Sequence, residues 1–396
     1  MSTANELMPK QRLEIIRAQF PHLKKGQVYF NHASTSPLST RVVDTLTKFL
    51  TVHSDGTLIS YDDDLKIESA CRIAVQRLIN AESPDRIALI GNTSDAINIV
   101  ASGFPWQRDD RIILNDMEFP ANVYPYYHLQ EQGVHIDIVK CPDGRITSAM
   151  IAETIRPTTR LVALSAVQFL SGFRSDLASI GRICRERSIW FIVDGIQAVG
   201  AIPIDVQTMN IDGLAAGGQK WQMSLQGTGF LYVTDALQDA IHPQFVGWLG
   251  VQDAWNFYNY GQPLASSAKR YEGGSVNHLG FSGMSASLSF LLEQGSDVIE
   301  KHILALTRLL SEGLATIDGV KLFSPLLDNE RAGIVTIELP PPIHAKQVFD
   351  KLLERNIVIS LREGKLRYSP HFYNAPEEVE IVIETTRELC EGPSEG

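Results

Sequence analysis

An α/β fold is predicted, with a mostly parallel sheet in the first two thirds of the chain and a smaller α+β unit after it. From Val28 onward, short apolar runs alternate with amphipathic stretches at the spacing of strands joined by crossover helices. The runs are almost continuously apolar, as in strands covered on both faces. Around residues 262–268 the rhythm loosens and gives way to long helices and short strands. The 396 residues suit two or three structural units and a large core.

The opening reads as an amphipathic helix, with Leu13, Ile16, Ala18 and Phe20 among Lys10, Arg12, Glu14 and Arg17 before the break at Pro21. Strands are predicted at 86–90, 111–114, 135–139, 161–167, 188–193, 214–216 and 229–233. Helices are predicted between them at 65–79, 95–101, 121–132, 151–154 and 177–187. Helices at 285–293 and 297–312 follow, then strands near 320–323 and 333–339 and a helix at 345–355. Strands near 357–361 and 365–369 and a helix at 376–390 complete the pattern. This divides the chain into a large unit, 29–265, and a small unit of 1–28 plus 266–396, with the N-terminal helix packed on the C-terminal part. The tail at 391–396 reads as disordered, and no internal repeat is visible.

Lys plus Arg number 35 and Asp plus Glu 46, a formal charge of −11. That balance argues against a general affinity for nucleic acid or anionic membrane. No apolar run approaches the roughly 20 residues of a spanning helix, and the polar opening with Glu6 does not resemble a secretory signal. The four cysteines, Cys71, Cys141, Cys184 and Cys390, are scattered without metal-type spacing, so no metal site is expected. Such thiol usage fits a reducing compartment, and the protein is read as cytoplasmic.

In parallel α/β sheets, ligands bind at the carboxyl ends of the strands. One predicted strand closes on Asp194, followed by Gly195, Ile196 and Gln197. A carboxylate there is costly unless it meets a cation or a donor; it is either a helix cap or a ligand group. A neighbouring strand leads into Gly217, Gly218, Gln219 and Lys220. An anion and an amine at two adjacent strand ends are the two groups pyridoxal phosphate requires: a lysine to bind its aldehyde and a carboxylate to keep its ring nitrogen protonated. A phosphate would find donors at Gly91-Asn92-Thr93-Ser94-Asp95, which follows a strand and opens a helix. By themselves, Thr93, Ser94 or Asp95 read first as ordinary helix caps.

Taken together, Asp194-Gly-Ile-Gln197, Gly217-Gly-Gln-Lys220-Trp and Gly227-Thr-Gly-Phe-Leu-Tyr-Val resemble the class V aminotransferase family of fold-type I pyridoxal-phosphate enzymes. That group includes cysteine desulfurases, selenocysteine lyases, isopenicillin N epimerase-like proteins and, more distantly, kynureninases. The resemblance runs from Tyr29-Phe-Asn-His-Ala33 to Arg367-Tyr-Ser-Pro-His-Phe-Tyr-Asn374. It implies the aspartate aminotransferase-like fold and pyridoxal 5'-phosphate as cofactor. Lys220 matches the lysine that carries the cofactor, Asp194 the partner of its ring nitrogen, and Gln197 the residue that bonds its ring hydroxyl. Thr93 and Ser94 match the phosphate-binding turn, while Ser275, in Glu272-Gly-Gly-Ser275-Val-Asn277, takes the place of a threonine that reaches the neighbouring subunit's phosphate. A homodimer with shared active sites follows. Arg367 matches the arginine that grips the substrate carboxylate, a task for a planar fork. Chemistry would then proceed at the substrate Cα through a carbanion, with Lys220 as general base.

Several positions depart from the pattern. Phe119, in the segment that stacks on the cofactor ring, stands where desulfurases place a histidine. Gln219 replaces a histidine and Gly217 a serine, so two phosphate donors change. Gln168 is expected near the cofactor, and Asn31 and His32 open an entrance loop, His32 as a substrate contact or a structural histidine. Trp248 lies in a Gly-Trp segment similar to one near the substrate entrance of kynureninases, or is a packing residue. The desulfurases' sulfur-accepting cysteine before the Arg367 strand has no counterpart, so persulfide formation on this chain is not expected. The leading reading is aminotransferase-like chemistry on an amino acid. The alternative is a Cβ-lyase acting on cysteine or selenocysteine, a kynureninase-like hydrolase, or an epimerase. A nucleotide-binding Rossmann enzyme would need a G-x-G-x-x-G that is missing, and the joint presence of Lys220, Asp194 and Arg367 argues against a non-catalytic binding protein.

Overall fold

The computed structural model describes residues 6–57 and 60–391; of the expected tail, everything past Glu391 lies outside the described residues. The short strand β1 (Val28–Tyr29) precedes seven strands that form one sheet. These are β2 (Ile87–Ile90), β3 (Arg111–Asn115), β4 (His135–Val139), β5 (Thr159–Ser165), β6 (Trp190–Asp194), β7 (Gly213–Gly217) and β8 (Gly229–Val233). Their order is β2-β8-β7-β6-β5-β3-β4, and only β8 runs against its neighbours. All seven expected strands are present, and the mostly parallel sheet is confirmed. Side chains alternate between two cores: Val162, Leu164, Phe191 and Val193 face one layer, and Leu161, Ala163 and Ile192 the other. Because β8 alone is reversed, the carboxyl ends of β2, β5, β6 and β7 open at the same edge of the sheet.

Helices fill the crossovers: α1 (Lys10–Arg17), α2 (Thr40–Ser54), α3 (Tyr61–Ile79), α4 (Thr93–Gly103), α5 (Tyr124–Tyr127), α6 (Ser148–Thr154), α7 (Leu177–Glu186) and α8 (Asp235–Ala240). The helix expected over 121–132 is instead one α turn between two 3-10 segments, because Pro120 and Pro125 remove donors within a single stretch. Helices α2 and α8 are additional to the sequence-based set.

The C-terminal part contains α9 (His278–Gln294), α10 (Ser296–Leu314), α11 (Ala345–Glu354) and α12 (Pro376–Glu391). Its antiparallel sheet is built from β9 (Lys321–Leu322), β10 (Val335–Glu338), β12 (Ser360–Arg362) and β13 (Lys365–Tyr368). The intervening β11 (Ile357–Val358) pairs with β1, drawing the N-terminal segment onto this unit. Arg17 adds an ion pair to Glu378, and the Met8 amide donates to His302 Nδ1. Packing does not change at residue 265, however. Helix α9 lies against α2 and α3, so the segment up to Gln294 sits with the large sheet's helices. Among the described residues no helix is long and apolar enough to cross a membrane.

Candidate active site

The site grows from the strand ends at that common edge. Asp194 closes β6 beside Ser165 of β5 and Ala215 of β7. It is buried, and its Oδ1 accepts from the Ile196 amide at 2.9 Å. Burial pushes its carboxyl well above the usual range, the Ile196 amide opposes this, Glu118 raises it further, and Lys220 pulls it down. Lys220 follows β7 after Gly218 and Gln219. Its backbone carbonyl accepts from Ser36 Oγ at 2.6 Å, and the Ser36 amide donates to the Gln219 carbonyl at 2.9 Å. Trp221, fully buried, is fixed through its carbonyl by His371 Nε2 at 2.9 Å. The lysine backbone is thus clamped by residues from both ends of the chain. Burial lowers the Lys220 ammonium below its ordinary range; Asp194 resists this, while Arg367 and Arg362 reinforce it. Its Nζ stands 5.7 Å from the centre of the Phe119 ring.

Thr93 is the first residue of α4, capped by Asn92, whose side chain accepts from the Asp95 amide at 2.9 Å. Its Oγ1 is buried without a partner. A Cβ on Gly217 would lie 3.3 Å from that Oγ1 and 2.6 Å from Gln219 Oε1. Thr93, Gly217 and Gln219 therefore share one small cradle at a helix N-terminus, and the residue without a side chain keeps it open. An orphaned hydroxyl, free N–H groups and a positive helix end suit a phosphate. Together with Asp194 and Lys220, these residues fit pyridoxal phosphate.

Arg367, on β13, is 2% exposed. Nε donates to Ser360 Oγ at 3.0 Å, Nη1 to the Phe169 carbonyl at 2.6 Å and Nη2 to Ser34 Oγ at 2.8 Å. Burial, reinforced by Arg362, lowers its proton affinity to about 9. Arg362 Nη2 also reaches Ser34 Oγ, at 3.3 Å. Among the described residues neither arginine has a carboxylate within ion-pair distance, whereas Lys365 on the same hairpin pairs with Glu338. A buried guanidinium held by neutral acceptors is poised for an external anion.

The other expected residues fall as follows. Gln197 is buried; its Oε1 accepts from Trp221 Nε1 at 2.8 Å and its Nε2 donates to the Ala33 carbonyl at 3.0 Å, leaving one amide hydrogen for a ligand. Gln168 Nε2 donates to Glu118 at 3.0 Å while its Oε1 lacks a partner. Phe119 is 43% exposed and packs edge-on against Phe169. Asn31 Oδ1 is buried and unpartnered. Ser94 and Ser275 are exposed, Ser275 on a loop whose neighbours Glu272, Val276 and Asn277 border a cavity of about 700 Å³.

His32 must be corrected as a substrate contact. Its Nδ1–H donates to the Ser369 carbonyl at 2.8 Å and its Nε2 accepts from Tyr373 at 2.9 Å, so a fully buried, neutral ring has no nitrogen to offer. Sequence reasoning missed Glu118, Ser34, Arg362 and Phe169. Of these, Arg362 alone had a visible signal, being a second arginine five positions before Arg367.

A lysine and a carboxylate at neighbouring strand ends, beside a phosphate cradle at a helix N-terminus, define the fold-type I architecture of pyridoxal-phosphate enzymes. The sequence matches the family "Aminotransferase class-V" over residues 28–381, and the chain belongs to that family. Its members use pyridoxal phosphate. A probable cysteine desulfurase of Methanothermobacter thermautotrophicus is 28% identical over 401 residues, covering 96% of this chain and 98% of its own. A cysteine desulfurase of Serratia proteamaculans is 28% identical, covering 92% and 91%. The apo cysteine desulfurase of Thermococcus onnurineus shares the fold with a TM-score of 0.87 at 24% identity, covering 96% of this chain and 98% of its own. A cystine C–S lyase, solved with its product cysteine persulfide, shares it with a TM-score of 0.86 at 24% identity, covering 93% and 99%.

Proposed function

We propose that this chain is a pyridoxal-phosphate-dependent Cβ-lyase that acts on a sulfur-bearing amino acid and forms no persulfide on its own cysteines. The observation carrying this is the pairing of a cofactor-type Lys220–Asp194 couple with an unpaired, buried Arg367. When bound, the cofactor supplies an electron sink for the carbanion left by removal of the Cα proton. Arg367, steadied by Ser34, Ser360 and the Phe169 carbonyl, holds the substrate carboxylate and sets the Cα–H bond toward Lys220. Lys220 takes that proton on Nζ; burial and the two arginines favour its neutral form, as a general base requires. With the cofactor bound, Asp194 would hold a proton at the ring nitrogen, Phe119 would cover the ring, and Thr93 with the Gly217–Gln219 turn would take the phosphate.

Relatives named as desulfurases and a C–S lyase neighbour support bond cleavage at Cβ over transamination. The hairpin leading to Arg367 supports the absence of a persulfide. Its strands are joined by Glu363 and Gly364 alone, with Arg362 opposite Lys365, which leaves no loop for an acceptor cysteine. Cys71, Cys141 and Cys184 are buried, and burial pushes each thiol up to about 12, far from a nucleophilic thiolate. Four free thiols also suit a reducing compartment such as the cytoplasm. A homodimer sharing its sites accords with the exposed Ser275 loop.

In a test with cysteine and cystine, the holoenzyme should release sulfide or a free persulfide, together with pyruvate and ammonia. Alanine together with a persulfide-bearing peptide would show a desulfurase instead, and accumulation of pyridoxamine phosphate an aminotransferase. Lys220→Ala should abolish the visible absorption of the bound cofactor; a colourless wild-type protein that cannot be reconstituted would sink the cofactor assignment.

A further inference from the structure

Bonded to Ser165, the register partner of Asp194, lies a second buried carboxylate, Glu118, that the chemistry above does not use. Glu118 Oε1 accepts from Asn115 Nδ2 at 2.6 Å, the Ser165 amide at 2.8 Å and Gln168 Nε2 at 3.0 Å. Its Oε2 accepts from Ser165 Oγ at 2.5 Å and Asn122 Nδ2 at 3.0 Å. Five neutral donors hold this carboxylate, and among the described residues no cation pairs with it. A surface carboxylate would find water, and a purely structural one in the interior is normally matched by a cation. Here every partner of the carboxylate is a neutral donor.

The placement gives that field a target. Ser165, which donates to Glu118 twice, is the register partner of Asp194 across β5 and β6. Gln168 is the expected cofactor neighbour, and Phe119, the expected stacking residue, is next in sequence to Glu118. Three buried polar atoms in the same cluster lack partners: Asn122 Oδ1, Gln168 Oε1 and the Tyr126 hydroxyl. Glu118 is faced by Asp194, the Tyr126 phenol and the Cys141 thiol; Asp194 is faced by Glu118, Tyr126 and Lys220.

We infer that Glu118 is a positioning residue of the active site: it fixes the loop carrying Phe119 and, through its charge, holds Asp194 and the cofactor's ring nitrogen in their hydrogen-bonded, proton-retaining state. A negative charge near the Asp194 carboxylate makes that carboxylate more basic, and a more basic partner keeps the ring nitrogen protonated. Asp194 would touch the ring; Glu118 would act through it. This inference rests on the proposed cofactor chemistry for its consequence, while the coupling between the two carboxylates is testable without cofactor.

The test has two arms. In the holoenzyme, Glu118→Gln should lower the pH midpoint of the cofactor's visible absorption by on the order of one unit, because a nearby negative charge favours the protonated form. Ser165→Ala, which removes a hydrogen bond and keeps the charge, should leave that midpoint in place. In the apo protein, Glu118→Gln should narrow the pH window through which stability falls on ionising Asp194, and so reduce the loss that remains above it. Should Glu118→Gln not fold, Asn115→Lys sets a cation against Oε1 and should give the same two shifts. An unmoved midpoint and an unchanged apo profile, with stability lost as in Ser165→Ala, would show that Glu118 is only a structural hub. A wild-type protein without visible absorption but with the apo shift would keep the coupling and overturn the cofactor reading.

Discussion

Asp194 pairs burial with a requirement for charge, and the two conflict in the absence of cofactor. Its carboxyl is raised in the folded protein, chiefly by burial. Between the ordinary carboxylate range and that raised value, the native state binds more protons than the unfolded one, so stability falls as pH rises through the window. Asp194→Asn removes the titration. The apo variant should therefore be more stable than wild type at pH 8, by about 1–3 kcal/mol, with no difference near pH 3; urea unfolding at the two pH values measures this. The same variant should fail to hold the cofactor in its productive state, a stability gain at the expense of function. Arg367→Lys keeps the charge but cannot hold Ser34, Ser360 and the Phe169 carbonyl together while clamping a carboxylate. It should raise KM by about tenfold or more, with circular dichroism unchanged. These residues were legible in the sequence because a charged group ending an apolar run is conspicuous. His32 was not, since whether both ring nitrogens are taken depends on Ser369 and Tyr373, far along the chain. Glu118 was hidden for a related reason: a glutamate in a loop looks solvated until its five donors are brought together.

At the level of elements, the central strands were readable because they are apolar on both faces, whereas the edge strand β4 carries an exposed His135 and a half-buried Asp137. Helix α2 is rich in β-branched Thr and Val, which favour strands. Ser39 caps it, its hydroxyl oxygen accepting from the Val42 amide, and packing on α9 carries the rest. The element on which the proposed substrate contact depends most is the β12–β13 hairpin. Glu363 and Gly364 both take left-handed φ, 47° and 71°, the conformation of a two-residue turn that matches strand twist. That turn fixes Arg362 opposite Lys365 and Ser360 opposite Arg367, so the hydroxyl that steadies Arg367 comes from its own hairpin. Nothing lies within 4 Å of a Cβ placed on Gly364, so Gly364→Ala should be felt only through the backbone, at about 1 kcal/mol. Denaturant unfolding reports the loss, and a rise in KM larger than Ser360→Ala produces would show that the register also aims the arginine.

For the whole molecule, the question is what completes the outer edge of the site. Phe245, Trp255, Phe257, Tyr258 and Tyr260 are more than half exposed, an apolar concentration uncommon on an isolated monomer. Phe245 borders the same cavity as Gly91 and Asp95 at the start of α4, together with Glu272, Val276 and Asn277 around Ser275. Arg72 holds Glu272, whose carboxylate also accepts from the Leu89 amide at 2.8 Å, so the loop is anchored at one end while Ser275 faces outward. A loop anchored in one subunit and directed outward suits a site shared across a two-fold axis, where each copy lends the other the same residue. Ser275→Asp would then set a negative charge against the phosphate of the partner subunit and leave its own Lys220 intact. Ser275→Asp and Lys220→Ala should each be inactive as homodimers. After mild unfolding and refolding of an equal mixture, half the dimers are mixed, and each mixed dimer has one site with both an intact lysine and an intact loop. About a quarter of all sites should recover, seen as lyase activity and returning visible absorption. If Ser275 instead serves the phosphate of its own chain, the mixed dimer contains no intact site and the mixture stays inactive.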